Sequence, residues 1–480
     1  MMDLSSYAAQ LRYLWPELGL VAAALVAMFV HLFSRRNGPR RAGLVAQLGL
    51  LAALVLLTWQ SQVRGDAFSG TLTFDPFAFF LKIVFLLAGA MTVTLAFRFY
   101  DRLHGESGET YYLLLLAIVG MMFTVSAVDL LTFYVSFELF AITSYLLAGI
   151  FKPERRSAEA GLKYFVLGVL SSGIMLLGMA LIYGLTGETL LVRIAAKLPE
   201  VDIHLSMLAG LIFFCGLFFK VAAVPFHMWT PDVYEGAPTP LVAFLSTAPK
   251  TAAFAVMMRV LFMVFPASQS RWTVIFSLIA AATMCWGNLA ALGQRNLKRM
   301  MAYSSIAHAG YMLIGLAAFG PQGGMAVLFY LFIYLFMNTA AFALPLLVQR
   351  RDGFGEEVGD LAGFAGRAPL SAAGIVILLL SLTGIPPTAG FIGKYYLFSA
   401  AVNRGLYWLV VLGALNSVIS LFYYFRIGRA MFMEPGGEDH PPLPSSLYLH
   451  AVLGIAVAVI LFFGLFPGRL TELAAAVMLR

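Results

Sequence analysis

Fourteen separate apolar runs, each long enough to cross a bilayer as a helix, divide this chain and leave only short polar connections between them. Hydrocarbon offers backbone N–H and C=O groups no partner, so an apolar run of about 17–25 residues that enters lipid must be helical. The expected limits are 14–33, 42–60, 77–97, 111–127, 129–150, 160–184, 206–228, 240–263, 272–292, 299–318, 324–348, 370–399, 406–427 and 447–467. Composition agrees: 61% of the 480 residues are hydrophobic and 11% charged, against roughly 45–50% and 25% in soluble domains. The expected fold class is an all-α polytopic membrane protein of about 14 transmembrane helices, folded as one membrane domain over residues 1–480. The first run does not read as a cleaved signal. It carries Glu17, lacks a small-residue cleavage site, and its basic cluster follows it.

The charges report orientation. Of the 31 lysines and arginines, 17 fall in connections after odd-numbered runs and eight on the opposite face. That bias places both termini on the outer side of the membrane. The net charge of +7 is dispersed among spans and forms no continuous basic face, so membrane lipid is an expected partner and nucleic acid is not. Two lone cysteines, Cys215 and Cys285, are too few for an iron–sulfur centre. No metal-binding cluster, P-loop or dinucleotide-binding GxGxxG is expected. Any redox chemistry served by this chain therefore belongs to other polypeptides.

Six basic residues lie inside runs: Lys82, Lys163, Lys220, Lys250, Arg259 and Lys394. A charge at mid-bilayer costs about 2.5–3.5 kcal/mol on insertion scales, so each calls for a partner or a use. Lys82 and Arg259 lie near run ends, where long side chains reach back to the interface. Lys220 and Lys250 bracket KVAAVPFHMWTPDVYEGAPTPLVAFLSTAPK, in which Pro225, Pro231, Pro238 and Pro240 remove backbone donors. The seventh run is expected to break at Pro225. The twelfth is expected to break at TGIPPTAG, around Pro386 and Pro387. Paired broken helices point to two inverted five-helix repeats, runs 4–8 and 9–13, with a site at mid-membrane. The expected subdivisions are an N-terminal three-helix segment (1–105), a first unit (106–265), a second unit (266–432) and a C-terminal helix (433–480).

No catalytic residue in the covalent sense is expected. Glu138 reads as the one acidic side chain deep in a span, and Lys220 and Lys250 are its natural partners. A carboxylate that moves towards or away from a buried lysine changes the lysine's proton affinity, about 1.4 kcal/mol for each pKa unit. Lys163 lies one or two turns inside the sixth run, within reach of the surface. Lys394 is the ionisable group after the twelfth-run break, and His308 in YSSIAHAGYML suits a proton relay as well as it suits packing. His227 belongs to the broken segment. Asp232 and Glu235 follow Pro231 on the inner face, where such acids gather protons or are simply solvated.

The stretches DLLTFYVSFELFAITSYLLAG, GLKYFVLGVLSSGIMLLGMALIYGLTG, KVAAVPFHMWTPDVYEGAPTP, LSTAPKTAAF, GNLAALGQRNLKRMMAYSSIAHAGYML and SLTGIPPTAGFIGKYYLF resemble the subunit N family of bacterial respiratory complex I, the proton-translocating NADH:quinone oxidoreductase. The resemblance implies fourteen helices with two inverted units and broken helices 7 and 12. It also implies a proton-translocating role for Glu138, Lys163, Lys220, Lys250, His308 and Lys394. NADH, FMN, Fe–S clusters and quinone would reside in partner subunits, with none bound by this chain. Antiporter-like subunit M and small subunits J and K would be neighbours. Subunits L and M and the Mrp cation/proton antiporters share the core, so an Mrp-type subunit is the alternative.

Overall fold

The chain is described here by a computed structural model covering residues 10–34, 37–103, 108–152, 154–350, 353–436 and 446–478. Arg35, Arg36, Arg351 and Arg480, counted above for orientation, lie outside the described residues, as do both termini. The long helices are α1 Trp15–Phe33, α2 Gly38–Trp59, α3 Pro76–Leu103, α4 Glu109–Ser126, α5 Leu130–Ala148 and α6 Arg155–Thr186. There follow α7 Ile203–Val221, α8 Trp229–Gly236, α9 Thr239–Leu245, α10 Ala248–Val264, α11 Gln269–Leu292 and α12 Leu297–Ala317. The remainder are α13 Pro321–Phe342, α14 Pro369–Thr383, α15 Ala389–Asn403, α16 Tyr407–Met433, α17 Leu447–Leu465 and α18 Gly468–Ala476. A small hairpin, β1 Gly65–Ala67 paired with β2 Leu72–Phe74, joins α2 to α3.

Among the described residues, twelve helical segments are long and apolar enough to cross a membrane. The run expected at 299–318 forms α12, 21 residues long, but its lysine, arginine, serines and histidine keep it outside that twelve. The run expected at 370–399 forms two helices of 15 residues each, α14 and α15.

Short polar side chains start several helices by capping orphan N–H groups. The Asp129 carboxylate accepts from Leu131 N and Thr132 N ahead of α5, Asp202 does the same for α7, and Asn296 accepts from Arg299 N ahead of α12. Interfaces then form where small residues let backbones approach, because lipid supplies no hydrophobic drive between helices. Between α11 and α12, a Cβ at Gly287 would stand 2.6 Å from Ala307 N and one at Gly310 2.7 Å from Met284 N.

Both expected breaks are present. Helix α7 ends at Ala222, which takes φ 63°, and the chain turns through Val224–Pro225 before α8. Helix α14 ends at Gly384, φ 90°, and resumes as α15 after Pro386 and Pro387. A third interruption was not expected. The run at 240–263 divides into α9 and α10 at Ser246–Thr247, immediately before Lys250. Pro249 in STAPK lacks a donor and is accommodated in the first turn of α10, where no donor is needed.

Two expectations about charges are corrected. Lys82 and Arg259 do not simply extend into solvent: both are buried in ion pairs between segments. Lys82 Nζ lies 2.7 Å from Glu17 Oε1, linking α3 to α1. Arg259 on α10 donates to both Asp75 oxygens at 2.9 and 3.2 Å and to Val125 O at 2.9 Å. Glu138 is accordingly not the one deep acid, since Glu17 is 1% exposed whereas Glu138 is half-buried.

Candidate functional site

Lys220, Lys250 and Lys394 are all buried, and each stands beside a helix interruption. For Lys220 and Lys394 the reason is local: the last carbonyls of a helix have no intrahelical partner and carry partial negative charge, which favours a cation there. Lys250, at a helix start, relies instead on its hydrogen bonds to Ser305. Lys220 occupies the last turn of α7. Lys394 Nζ donates to Thr383 O, at the end of α14, at 2.8 Å, and to Ser417 Oγ at 3.1 Å. Its ammonium also lies 4.3 Å from the ring centre of Tyr311. Gly384 makes this approach possible, because a Cβ there would sit 2.8 Å from Lys394 Cδ.

Lys250, in the first turn of α10, donates to Ser305 Oγ at 2.9 Å and Ser305 O at 3.1 Å. Three residues along α12 from Ser305, His308 is enclosed by tyrosines. Its Nδ1 pairs with Tyr330 OH at 2.8 Å and its Nε2 with Tyr424 OH at 3.3 Å, while Ser304 Oγ meets Tyr424 OH at 2.5 Å. From Lys394, Ser417 Oγ leads to Tyr311 OH at 3.4 Å, and Tyr311 OH to Asn288 Nδ2 at 3.4 Å. Lysine, serine, tyrosine and histidine thus line the interior from α10 to α16. Such groups can pass protons by exchanging O–H and N–H bonds with hydrogen-bonded neighbours. Sequence reasoning missed Tyr311, Tyr330, Tyr424 and Ser417. A usable signal existed, because a phenol in mid-span must find a hydrogen-bond partner.

The expected Glu138–Lys220 pair is not closed. Among the described residues no ion pair joins the two, and neither Lys220 Nζ nor Glu138 Oε1 has a hydrogen-bond partner. Lys220 instead lies among aromatic rings. Glu138 lies on α5 beside the cage residues Phe137, Phe140 and Tyr145, with its Oε1 buried, but it does not close on the ammonium. Lys163 is likewise not beside the pair. It is 43% exposed and sits 2.8 Å from Glu159 and 2.9 Å from Asp232. Asp232 and Glu235 are not merely solvated, since Arg299 Nη1 holds them at 2.8 and 2.9 Å. His227 is buried with its ring edge-on to Trp286, apart from the lysines. Among the described residues, no three of His, Cys, Asp and Glu gather to hold a metal ion.

Residues 127–420 match the family described as NADH:quinone oxidoreductase/Mrp antiporter, TM. The chain is 42% identical to NADH-quinone oxidoreductase subunit N of Parvibaculum lavamentivorans, over 95% of this chain and 94% of that one. It is 40% identical to the subunit N of Trichlorobacter lovleyi, over 97% and 96% respectively. Among solved structures, a chain of respiratory complex I from Thermus thermophilus with bound aureothin superposes with a TM-score of 0.81 at 34% identity, covering 96% of this chain and 99% of that one. A chain of the Mrp complex from Dietzia sp. shares the fold, with a TM-score of 0.83 at 24% identity over 96% of both chains. Matched over nearly its full length by relatives of that name, this chain belongs to the NADH-quinone oxidoreductase subunit N family.

Proposed function

We propose that protons cross this subunit along Lys220, Lys250, His308 and Lys394, with Glu138 setting the charge state of Lys220. The chain is a multi-pass, proton-translocating, antiporter-like membrane subunit of complex I. What supports the route is the row of three buried lysines at helix interruptions, with Lys250 bonded to Ser305, His308 to Tyr330 and Tyr424, and Lys394 to Ser417 along the same interior. Approach of the Glu138 carboxylate favours the ammonium form of Lys220, and its withdrawal leaves that charge among rings with no acceptor. The proton then passes by water and hydroxyl groups to Lys250 and onward to Lys394, which releases it outward. Lys163 acts on the inner face.

In this reading the chain crosses the bacterial inner membrane fourteen times, with α12 and the α14–α15 pair supplying the two crossings beyond the twelve strongly apolar segments. Both termini lie outside. Residues 106–265 and 266–432 form two inverted five-helix units between an N-terminal segment (1–105) and a C-terminal helix (433–480). The chain binds no redox cofactor: NADH, FMN, Fe–S clusters and quinone belong to partner subunits, and subunits M, J and K are its neighbours. The test is NADH-driven proton uptake by inverted vesicles carrying Lys220→Ala in assembled complex. Loss of pumping is expected. Assembled complex that pumps at the unaltered rate would refute the route.

A further inference from the structure

Lys220 Nζ lies 5.0, 5.0 and 5.1 Å from the ring centres of Phe140, Tyr145 and Tyr164, with no hydrogen-bond acceptor. One ring of this cage, Tyr164, is buried on α6 next to a residue that faces a surface cavity. Tyr164 follows Lys163 on α6, and Lys163 lines an open cavity of about 210 Å³ together with Arg156, Glu159, Asp232 and Glu235. The two helices that line the cavity also carry two rings of the lysine's surroundings, Tyr164 on α6 and Trp229 on α8. Trp229 stacks on Tyr164 with centroids 4.3 Å apart and planes 7° from parallel, and its Nε1 donates to Phe219 O at 2.9 Å.

Trp229 opens α8, and α8 is held by the ion pairs three and six residues further on. Asp232 is gripped by Lys163 of α6 and Arg299 of α12, and Glu235 by the same Arg299. The two cations therefore fix α8 against two helices at once, and with it the indole against Tyr164. The Tyr164 hydroxyl is buried with no partner, although a buried phenol ordinarily has one. In the stacked arrangement that hydroxyl has nothing to bond. Water admitted past the stack would supply the partner.

We propose that this inner cavity is the proton inlet to Lys220, and that Tyr164 and Trp229 are the positioning residues that close it until the Lys163–Asp232–Arg299 clamp parts. This rests on the reading of Lys220 as a proton carrier and adds the route by which it is reached. The clamp suits a gate because its residues are partly exposed. Exposed ion pairs contribute only about 0–1 kcal/mol each, so they part readily, whereas a buried pair would not.

The test is chemical access, in assembled complex within membrane vesicles. Cys215 and Cys285 are replaced by serine, Lys220→Cys is introduced, and methanethiosulfonate-ethylammonium is added from one face at a time. Modification is slow with the clamp intact. Adding Asp232→Asn, which breaks two pairs, or Lys163→Met raises the rate several-fold from the arginine-rich face alone, about fivefold for each pair worth about 1 kcal/mol. Lys163→Arg, which keeps the charge, leaves modification slow. Unchanged rates with both clamp variants, or equal acceleration from the opposite face, would overturn the proposal. The labelling rate does not depend on whether Lys220 carries protons. Failure of this inlet and failure of the Lys220→Ala pumping result are therefore separate outcomes.

Discussion

Glu17→Gln removes one charge from the buried pair that ties α1 to α3, and its cost follows from the geometry. Glu17 Oε1 and Lys82 Nζ are 2.7 Å apart and 1% and 3% exposed, and neither Glu17 oxygen has another hydrogen-bond partner. At that separation the gross attraction is about 6 kcal/mol with an effective dielectric of about 20. Most of it repays the desolvation of the two ions, so the pair adds little beyond what two apolar groups would. Breaking it is another matter. Lys82 keeps a neutral amide acceptor at position 17 and the face of Phe74, 4.8 Å from its nitrogen, a contact of about 0.5–2 kcal/mol. It is left with no counter-ion among the described residues. The single substitution should therefore destabilise the N-terminal helices by about 3–5 kcal/mol, whereas Glu17→Gln with Lys82→Met should recover most of that loss. The assay is retention of the subunit in solubilised complex after graded heating, followed on native gels. A Glu17→Gln subunit retained as well as the unaltered one would refute the reasoning. So would a double variant less stable than the single.

Gly384→Ala places a side chain at φ 90° and 2.8 Å from Lys394 Cδ, costing about 1–2 kcal/mol in backbone alone and displacing the lysine from Thr383 O. Slower NADH-driven proton uptake with normal assembly is expected. Ser305→Ala leaves Lys250 one carbonyl acceptor of two, a loss of about 1.5–3 kcal/mol for a hydrogen bond to a charged group, and should slow pumping by roughly tenfold or more. The Asp232 carboxyl is pushed up by burial, but hydrogen bonds from Lys163 and Arg299 outweigh this and hold it below the usual carboxylate range. Because its folded value is lowered, the clamp's contribution is complete above about pH 4 and is lost only as pH falls through that lower value. Labelling of Lys220→Cys, corrected for thiolate fraction, should thus stay flat between about pH 6 and 8.

The sequence determined the class of structure and two of the three places where its helices fail. Apolar runs of bilayer length admit only helices, and Pro225, Pro386 and Pro387 cannot continue a backbone ladder, so both were legible one residue at a time. The lysines of the interior were legible for the same reason, since a cation in an apolar run is costly wherever the run ends up. Pairing was not. Whether Lys82 meets water or Glu17 depends on how α1 packs on α3, 65 residues apart in the chain. Lys163 was within reach of either the interior or the surface, and the position of α8 brought Asp232 to it on the surface. Glu138 shows the limit most plainly, because the placement of α5 beside α7 sets whether its carboxylate closes on Lys220 or stops short of it. Residue type and spacing fix what a side chain costs to bury. Only the packing of helices distant in sequence decides which partner offsets that cost.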